Sequence, residues 1–291
     1  MHVATLITDP AQPALDPGLV EDLRARWGGD AARWLAEGEA AEIALPALPA
    51  DAETVWAELQ VRGVDLALQL AEGRRKRLLL ADMDSTMIGQ ECIDELAEVA
   101  GIGPQIAAVT ARAMNGELAF EPALRERVAL LRGLDAGVID RVLADRITCT
   151  PGGHALVATM RANGATCVLV SGGFTAFTEA VARWLGFDSH RANSLEVQDG
   201  RLTGRVAEPI LGRAAKRATL EEYCTALGIT PADALTIGDG ANDLDMLGAA
   251  GMGVALHAKP AVAAACRLRV NHGDLTAALY LQGYARAEFA A

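Results

Sequence analysis

Residues 78–86, Leu-Leu-Leu-Ala-Asp-Met-Asp-Ser-Thr, limit what this chain can fold into more than any other stretch. Four apolar residues follow a basic segment (74–77) and end abruptly in two carboxylates. A run that short, with so sharp a polar stop, predicts a strand buried on both faces and ending at the rim of a parallel sheet. Alternate residues of a strand share a side, so Asp82 and Asp84 reach into one crevice, where open α/β sheets bind ligands. Two carboxylates that close repel unless a cation lies between them or one keeps its proton. Both resolutions serve phosphoryl chemistry. Taken alone, the pattern DxDST is as readily a solvated turn.

Two later stretches repeat the plan. An apolar run at 165–170 ends in Ser171-Gly172-Gly173-Phe174, and another at 234–237 breaks at Gly238-Asp239-Gly240-Ala241-Asn242-Asp243. Ser-Gly-Gly between a strand and a helix offers a hydroxyl and unpaired N–H groups to an anion. Lys216 sits on a predicted helix, 212–227, just ahead of the last acidic strand. Three carboxylates, a lysine and an anion cradle suit Mg²⁺, a hard ion that prefers oxygen ligands and keeps several waters. Zinc would want His or Cys. Gly238-x-Gly240-x-x-Asp243 is not a dinucleotide fingerprint, because Asp stands where the third Gly belongs and Asp239 would repel a pyrophosphate. No P-loop pattern is present.

Residues 1–73 read as a separate small α+β unit: strands at 3–8, 42–45 and 64–70, and helices at 17–27 and 51–62. The first helix has Asp16 as N-cap, Pro17 at its start and Gly28 just past its end. No catalytic cluster appears in this unit, so a cut before Arg74 is expected to leave the chemistry largely intact. Residues 74–291 read as an α/β core with a helical insertion at about 89–150. Ile88, Cys92, Leu96 and Val99 fall at helical spacing, as do Leu124, Val128 and Leu131, and a third helix is predicted at 135–143. Such an insertion over the sheet rim excludes water from a reacting group. Asp199-Gly200 marks a type I′ hairpin.

With 51% hydrophobic and 22% charged residues in 291, the chain has the makings of a substantial core. A net charge of −12 argues against nucleic acid or an anionic membrane as partner. Five scattered cysteines without a CxxC pair fit reduced thiols in the cytoplasm. Neither a leader pattern nor an uninterrupted apolar run of about 18 residues appears.

The order DxDST, SGG, Lys216, GDGxND resembles the haloacid-dehalogenase-like phosphatases. It is closer still to their phosphoserine phosphatase branch, on Glu91, residues 114–127 (MNGELAFEPALRER), SGGF and GDGANDLDM. The resemblance runs from about residue 76 to the end, while residues 1–73 are weakly similar to ACT-like domains. By this resemblance the fold is a Rossmann-like parallel sheet with a helical cap. Asp82 is the nucleophile, and Asp84 the general acid and then base. Mg²⁺ is held by Asp82, the Asp84 backbone carbonyl and Asp239. Ser171, the Gly172 N–H and Lys216 hold the phosphoryl oxygens, Asn242 orients, and Gly173 and Asp243 support. Arg127 and Glu91 take the carboxylate and ammonium of O-phospho-L-serine, with Met114 and Phe120 as apolar wall. The implied product is L-serine, at the last step of its synthesis, with homodimerisation or regulation left to the N-terminal unit. A phosphotransferase acting on another alcohol, such as homoserine, and a non-enzymatic amino-acid sensor stay open as rivals.

Overall fold

A computed structural model describes residues 1–114 and 117–290, except the side chain of Met114. The N-terminal unit runs β1 (His2–Ile7), α1 (Pro17–Trp27), β2 (Arg33–Ala36), β3 (Ala40–Leu45), α2 (Ala52–Val61) and β4 (Asp65–Leu70). Its four strands pair antiparallel in the order β2-β3-β1-β4, the ferredoxin-like arrangement of a split βαβ. Helix α1 starts and stops where the sequence demands: the Asp16 side chain accepts the Gly18 N–H, and Gly28 closes it at φ 61°. Strand β2 is too short to carry a periodic signal and was not expected. One face of the sheet packs on the helices through Ala4, Leu6, Ile43 and Leu66. The other face gives Ile7, Leu35, Ala40 and Ala67 to a cluster shared with the rest of the chain.

Strand β5 (Leu78–Ala81) opens the larger part, and all four of its residues are wholly buried. Leu79 and Ala81 join one hydrophobic cluster while Leu78 and Leu80 join another, so each face of the strand has its own helical layer. Next come α3 (Cys92–Ala100), α4 (Gly103–Met114), α5 (Phe120–Leu130) and α6 (Val138–Asp145), which form the cap. The core resumes with α7 (Gly153–Ala162), β6 (Thr166–Phe174), α8 (Thr175–Leu185) and β7 (Ser189–Asn193). A hairpin, β8 (Leu195–Gln198) and β9 (Arg201–Val206), leads to α9 (Arg213–Leu227) and β10 (Ala234–Gly238). Then follow α10 (Leu244–Ala249), β11 (Met252–Leu256), α11 (Pro260–Ala265), β12 (Leu268–Val270) and α12 (Ala277–Leu281). The six strands of the core sheet are parallel, ordered β12-β11-β10-β5-β6-β7. The chain leaves β5 to one side for β6 and returns on the other as β10. That makes β5 the switch point of the sheet, where a ligand crevice opens.

Local details depart from the sequence reading in three places. Helix α3 begins at Cys92 and not near Ile88, because residues 83–87 form an irregular turn with Ser85 at φ 54°. Helix α4, not separately expected from the sequence, opens at Gly103 with Pro104 in its first turn, a position that tolerates proline. Strand β6 continues through Ser171-Gly172-Gly173 as a bulge: Val170 pairs with Arg191, but Phe174 pairs with Asn193. The hairpin is as expected, with Asp199 and Gly200 both at positive φ. It docks on the cap, where the Gly133 N–H donates to the Leu202 carbonyl at 2.8 Å. Among the described residues no helix is long and apolar enough to cross a membrane.

Candidate active site

The C-terminal ends of β5, β6 and β10 converge on Asp82, the residue after β5. It is 4% exposed, its Oδ1 accepts the Met83 N–H at 2.7 Å, and its Oδ2 lies 2.7 Å from Lys216 Nζ. Lys216 stands in the first turn of α9, fully buried, and also donates to Asp243 Oδ1 at 2.7 Å. Burial alone would lower the pKa of its ammonium, but the two carboxylates outweigh that and hold it raised. The lysine therefore stays charged. Asp243 spends its other oxygen on the Gly240 N–H at 3.0 Å, so it serves chiefly to hold the lysine and the loop. Asn242 turns its Oδ1 against Gly240, where a side chain would have no room.

Asp84 is held from both layers. Its Oδ1 accepts the Cys92 N–H at the start of α3 (2.9 Å), and its Oδ2 accepts from Ser171 Oγ (2.9 Å). Ser171 Oγ in turn accepts the Gly173 N–H at 2.8 Å. A Cβ on Gly173 would fall 2.8 Å from Asp84 Oδ2 and 3.0 Å from Ser171 Oγ, so only glycine lets these groups meet. Burial, and then the charge of Asp82, push the Asp84 carboxyl up, against the hydrogen bonds from Cys92 and Ser171. Asp239 accepts from Thr86 Oγ1 at 3.3 Å and lies 3.6 Å from Lys259 Nζ. Its carboxyl is also raised, by burial foremost and by Asp82 next.

One oxygen from each of Asp82, Asp239 and Asp243 lies within 4.8 Å of the others. With Asp84 beside them, four carboxylates share this space with one buried lysine. That surplus of negative charge in a poorly solvated site is what a divalent cation offsets. The donors are all hard oxygens, which fits such an ion and not one that selects sulfur or imidazole. The side-chain cluster contains Asp243, which sequence reading placed behind the ligands. Asp243 is wholly buried, whereas Asp82 and Asp239 keep 4% and 6% of their surface open, so Asp82 and Asp239 are the carboxylates better placed to hold the ion.

The cap contributes a second group. Glu91, open to the cleft, accepts from Ser85 Oγ at 2.8 Å. Desolvation of its carboxyl, and then the charge of Asp84, push it up to about 7. Arg127, half-buried on α5, has its pKa lowered by burial, opposed by the charges of Asp94, Glu91 and Asp84. The cap thus brings a carboxylate and a guanidinium within electrostatic reach of Asp84, with Asp94 the charge that acts most on Arg127. Phe120 lays its ring against Gly172 and Gly212 and walls one side of the cleft. Met114 closes α4, and its side chain lies outside the described residues.

Sequence reading missed Asn193, which is 2% exposed. Its Nδ2 donates to the Gly172 carbonyl (2.8 Å) and the Leu211 carbonyl (3.2 Å), and its Oδ1 accepts the Leu211 N–H (2.6 Å). It therefore ties the Ser171–Gly173 bulge to the segment that enters α9 and carries Lys216. No motif marks it; only the register of β7 against β6 shows that an asparagine there meets the bulge. Replacing Asn193 with Ala leaves buried main-chain groups unpaired and is expected to lower stability by about 1–3 kcal/mol. Thermal melts of the purified variant check this, and a melting point equal to wild type would refute the clamp.

The sequence pattern of the haloacid dehalogenase-like hydrolases matches residues 79–248. A phosphoserine phosphatase of Streptomyces coelicolor is 48% identical over 233 residues, covering 79% of this chain and 57% of that protein. The chain thus spans little more than half the length of that relative. A phosphoserine phosphatase of a Polaromonas species is 44% identical over 210 residues, covering 70% of this chain and 89% of that protein. Among solved structures, a probable phosphoserine phosphatase from Vibrio cholerae superposes with a TM-score of 0.80 at 31% identity, covering 99% of this chain and 88% of that one. The chain belongs to the haloacid dehalogenase-like hydrolase family.

Proposed function

We propose that this chain is a Mg²⁺-dependent phosphoserine phosphatase, hydrolysing O-phospho-L-serine to L-serine and phosphate in the cytoplasm. One observation carries the reading: the cap brings a carboxylate, Glu91, and a desolvated guanidinium, Arg127, within electrostatic reach of Asp84. A phosphomonoester that also bears an ammonium and a carboxylate matches that set group for group. The names of the relatives agree.

In the first half-reaction an Asp82 oxygen attacks phosphorus and the P–O bond to serine breaks, giving an aspartyl-phosphate. Asp84 delivers a proton to the departing serine oxygen, then takes one from the water that attacks phosphorus and releases Asp82. Ser171, the Gly172 N–H and Lys216 bind the non-bridging oxygens as charge builds there. A bound Mg²⁺, held by Asp82 and Asp239 with the Asp84 carbonyl, would neutralise charge between the carboxylate and the phosphoryl group. Arg127 pairs with the substrate carboxylate and Glu91 with its ammonium. Residues 1–73 form a regulatory or dimer-forming unit, and residues 74–291 the catalytic one with its cap at about 89–150.

The test is a panel of small phosphomonoesters with Mg²⁺, with and without an added alcohol as acceptor. Phosphoserine should exceed phosphoethanolamine, which lacks the carboxylate. Arg127→Ala should cost phosphoserine roughly 100-fold in kcat/KM, about 2–3 kcal/mol, and phosphoethanolamine far less. If the variant keeps the wild-type preference, Arg127 is not the carboxylate site. If phosphate release gives way to transfer onto the alcohol, the enzyme is a phosphotransferase.

A further inference from the structure

Asp65, the first residue of β4 in the N-terminal unit, is 2% exposed and forms no ion pair among the described residues. Three main-chain N–H groups hold its carboxylate: Oδ1 accepts from Asn271 (2.9 Å), and Oδ2 from His272 (3.0 Å) and Gly273 (2.8 Å). These residues form the loop that follows β12, at the same rim of the parallel sheet as Asp239. The Gly273 carbonyl lies 2.7 Å from His257 Nε2. A carbonyl only accepts, so the ring carries its proton on Nε2.

His257 follows β11 at φ 44°, one of three non-glycine residues with positive φ among those described. The other two are Ser85 in the turn after Asp82 and Asp199 in the hairpin. Such a backbone persists only where its surroundings hold it. Here the His257 N–H donates to the Val270 carbonyl (2.7 Å) while the ring donates to Gly273, so β12 and its loop hold both ends of the residue. Two residues on, the Lys259 N–H donates to the Asp239 carbonyl at 3.2 Å, and Lys259 Nζ stands 3.6 Å from Asp239 Oδ2. An unbroken run of contacts therefore leads from Asp65 through the 271–273 loop, His257 and Lys259 to Asp239.

We propose that Asp65 is a positioning residue, through which the N-terminal unit sets the Asp239 carboxylate for its divalent ion. The proposal rests on the reading of Asp82 and Asp239 as metal ligands. A purely adhesive role for Asp65 makes a different prediction, because the two units also meet where Gln69 Nε2 donates to the Leu281 carbonyl at 2.6 Å. Breaking that contact loosens the interface without touching the run to Asp239.

Mg²⁺ affinity of the full-length chain, measured by calorimetric titration after chelator treatment, separates the two. Asp65→Asn loses acceptor capacity toward the loop. His257→Asn tolerates the left-handed backbone but cannot reach Gly273. Each should weaken Mg²⁺ binding about 10-fold, as second-layer changes at metal sites do. The double variant should be weaker than either single one by much less than the product, because both act on one path. The KM for phosphoserine at saturating Mg²⁺ should not move, and Gln69→Ala should bind Mg²⁺ as wild type does. Wild-type Mg²⁺ affinity in His257→Asn or in a cooperatively melting Asp65→Asn would overturn the proposal. So would an equal loss in Gln69→Ala. A wild-type chain that takes up no Mg²⁺, or an Asp239→Asn variant that binds it undiminished, would instead remove the metal site, and the proposal with it.

Discussion

Asp82→Asn should abolish phosphate release from phosphoserine, by at least about 10⁴-fold, in a protein that still melts cooperatively. The amide keeps the shape of the carboxylate and still accepts from Met83 or Lys216, so the site survives as geometry. What the proposed reaction loses is the attacking anion. No neighbour replaces it: Asp84 is tied to Ser171 and Cys92, and Asp243 to Lys216 and Gly240. Acid quenching of wild type with radiolabelled phosphoserine should leave label on Asp82 in an alkali-labile form, and the variant should carry none. Undiminished turnover by the variant, or label on another side chain, would refute the covalent route.

Removing residues 1–73 should leave the remainder insoluble or without a cooperative melt. The sheet face that carries Ile7, Leu35, Ala40 and Ala67 belongs to the same hydrophobic cluster as Leu279, Tyr280 and Tyr284 near the C-terminus. Tyr280 and Tyr284 are almost wholly buried, and the Tyr280 hydroxyl donates to Glu39 Oε1 at 2.7 Å. Each large side chain uncovered forfeits about 1.5–3 kcal/mol of burial. A handful of them approaches the roughly 5–15 kcal/mol that a domain has altogether. Expression of residues 74–291 followed by circular dichroism and an activity assay decides the matter. A soluble, fully active product with a sharp melt would mean that the interface is dispensable, as the break in sequence pattern at residue 73 suggests.

The sequence revealed groups whose chemistry is local. Leu78 to Ala81 announced a two-sided strand because all four positions are apolar, and Asp16 and Gly28 bracketed α1 because caps are read within a few residues. Asp82, Ser171, Lys216 and Asp239 were legible because each sits at a strand end or a helix start that the apolar pattern exposes. Long-range pairing was hidden. Asn193 earns its place only when β7 is laid beside β6, and Asp65 only when β4 meets the loop after β12. Thr86 and Ser85 stood inside the recognised motif, yet their partners, Asp239 and Glu91, depend on a turn whose left-handed residue no pattern of hydrophobicity announces. The N-terminal sheet was legible as a unit but not as a wall, because alternation tells which residues face inward and not what they face.

The Cys92–Asp84 hydrogen bond has a mechanical corollary. Asp84, the acid of the proposed reaction, is fastened to the first turn of a cap helix, so an outward swing of α3 would free its Oδ1 from the Cys92 N–H. Because that hydrogen bond favours the ionised carboxylate, losing it would raise the Asp84 carboxyl further, so the grip of this group on a proton would follow the position of the helix.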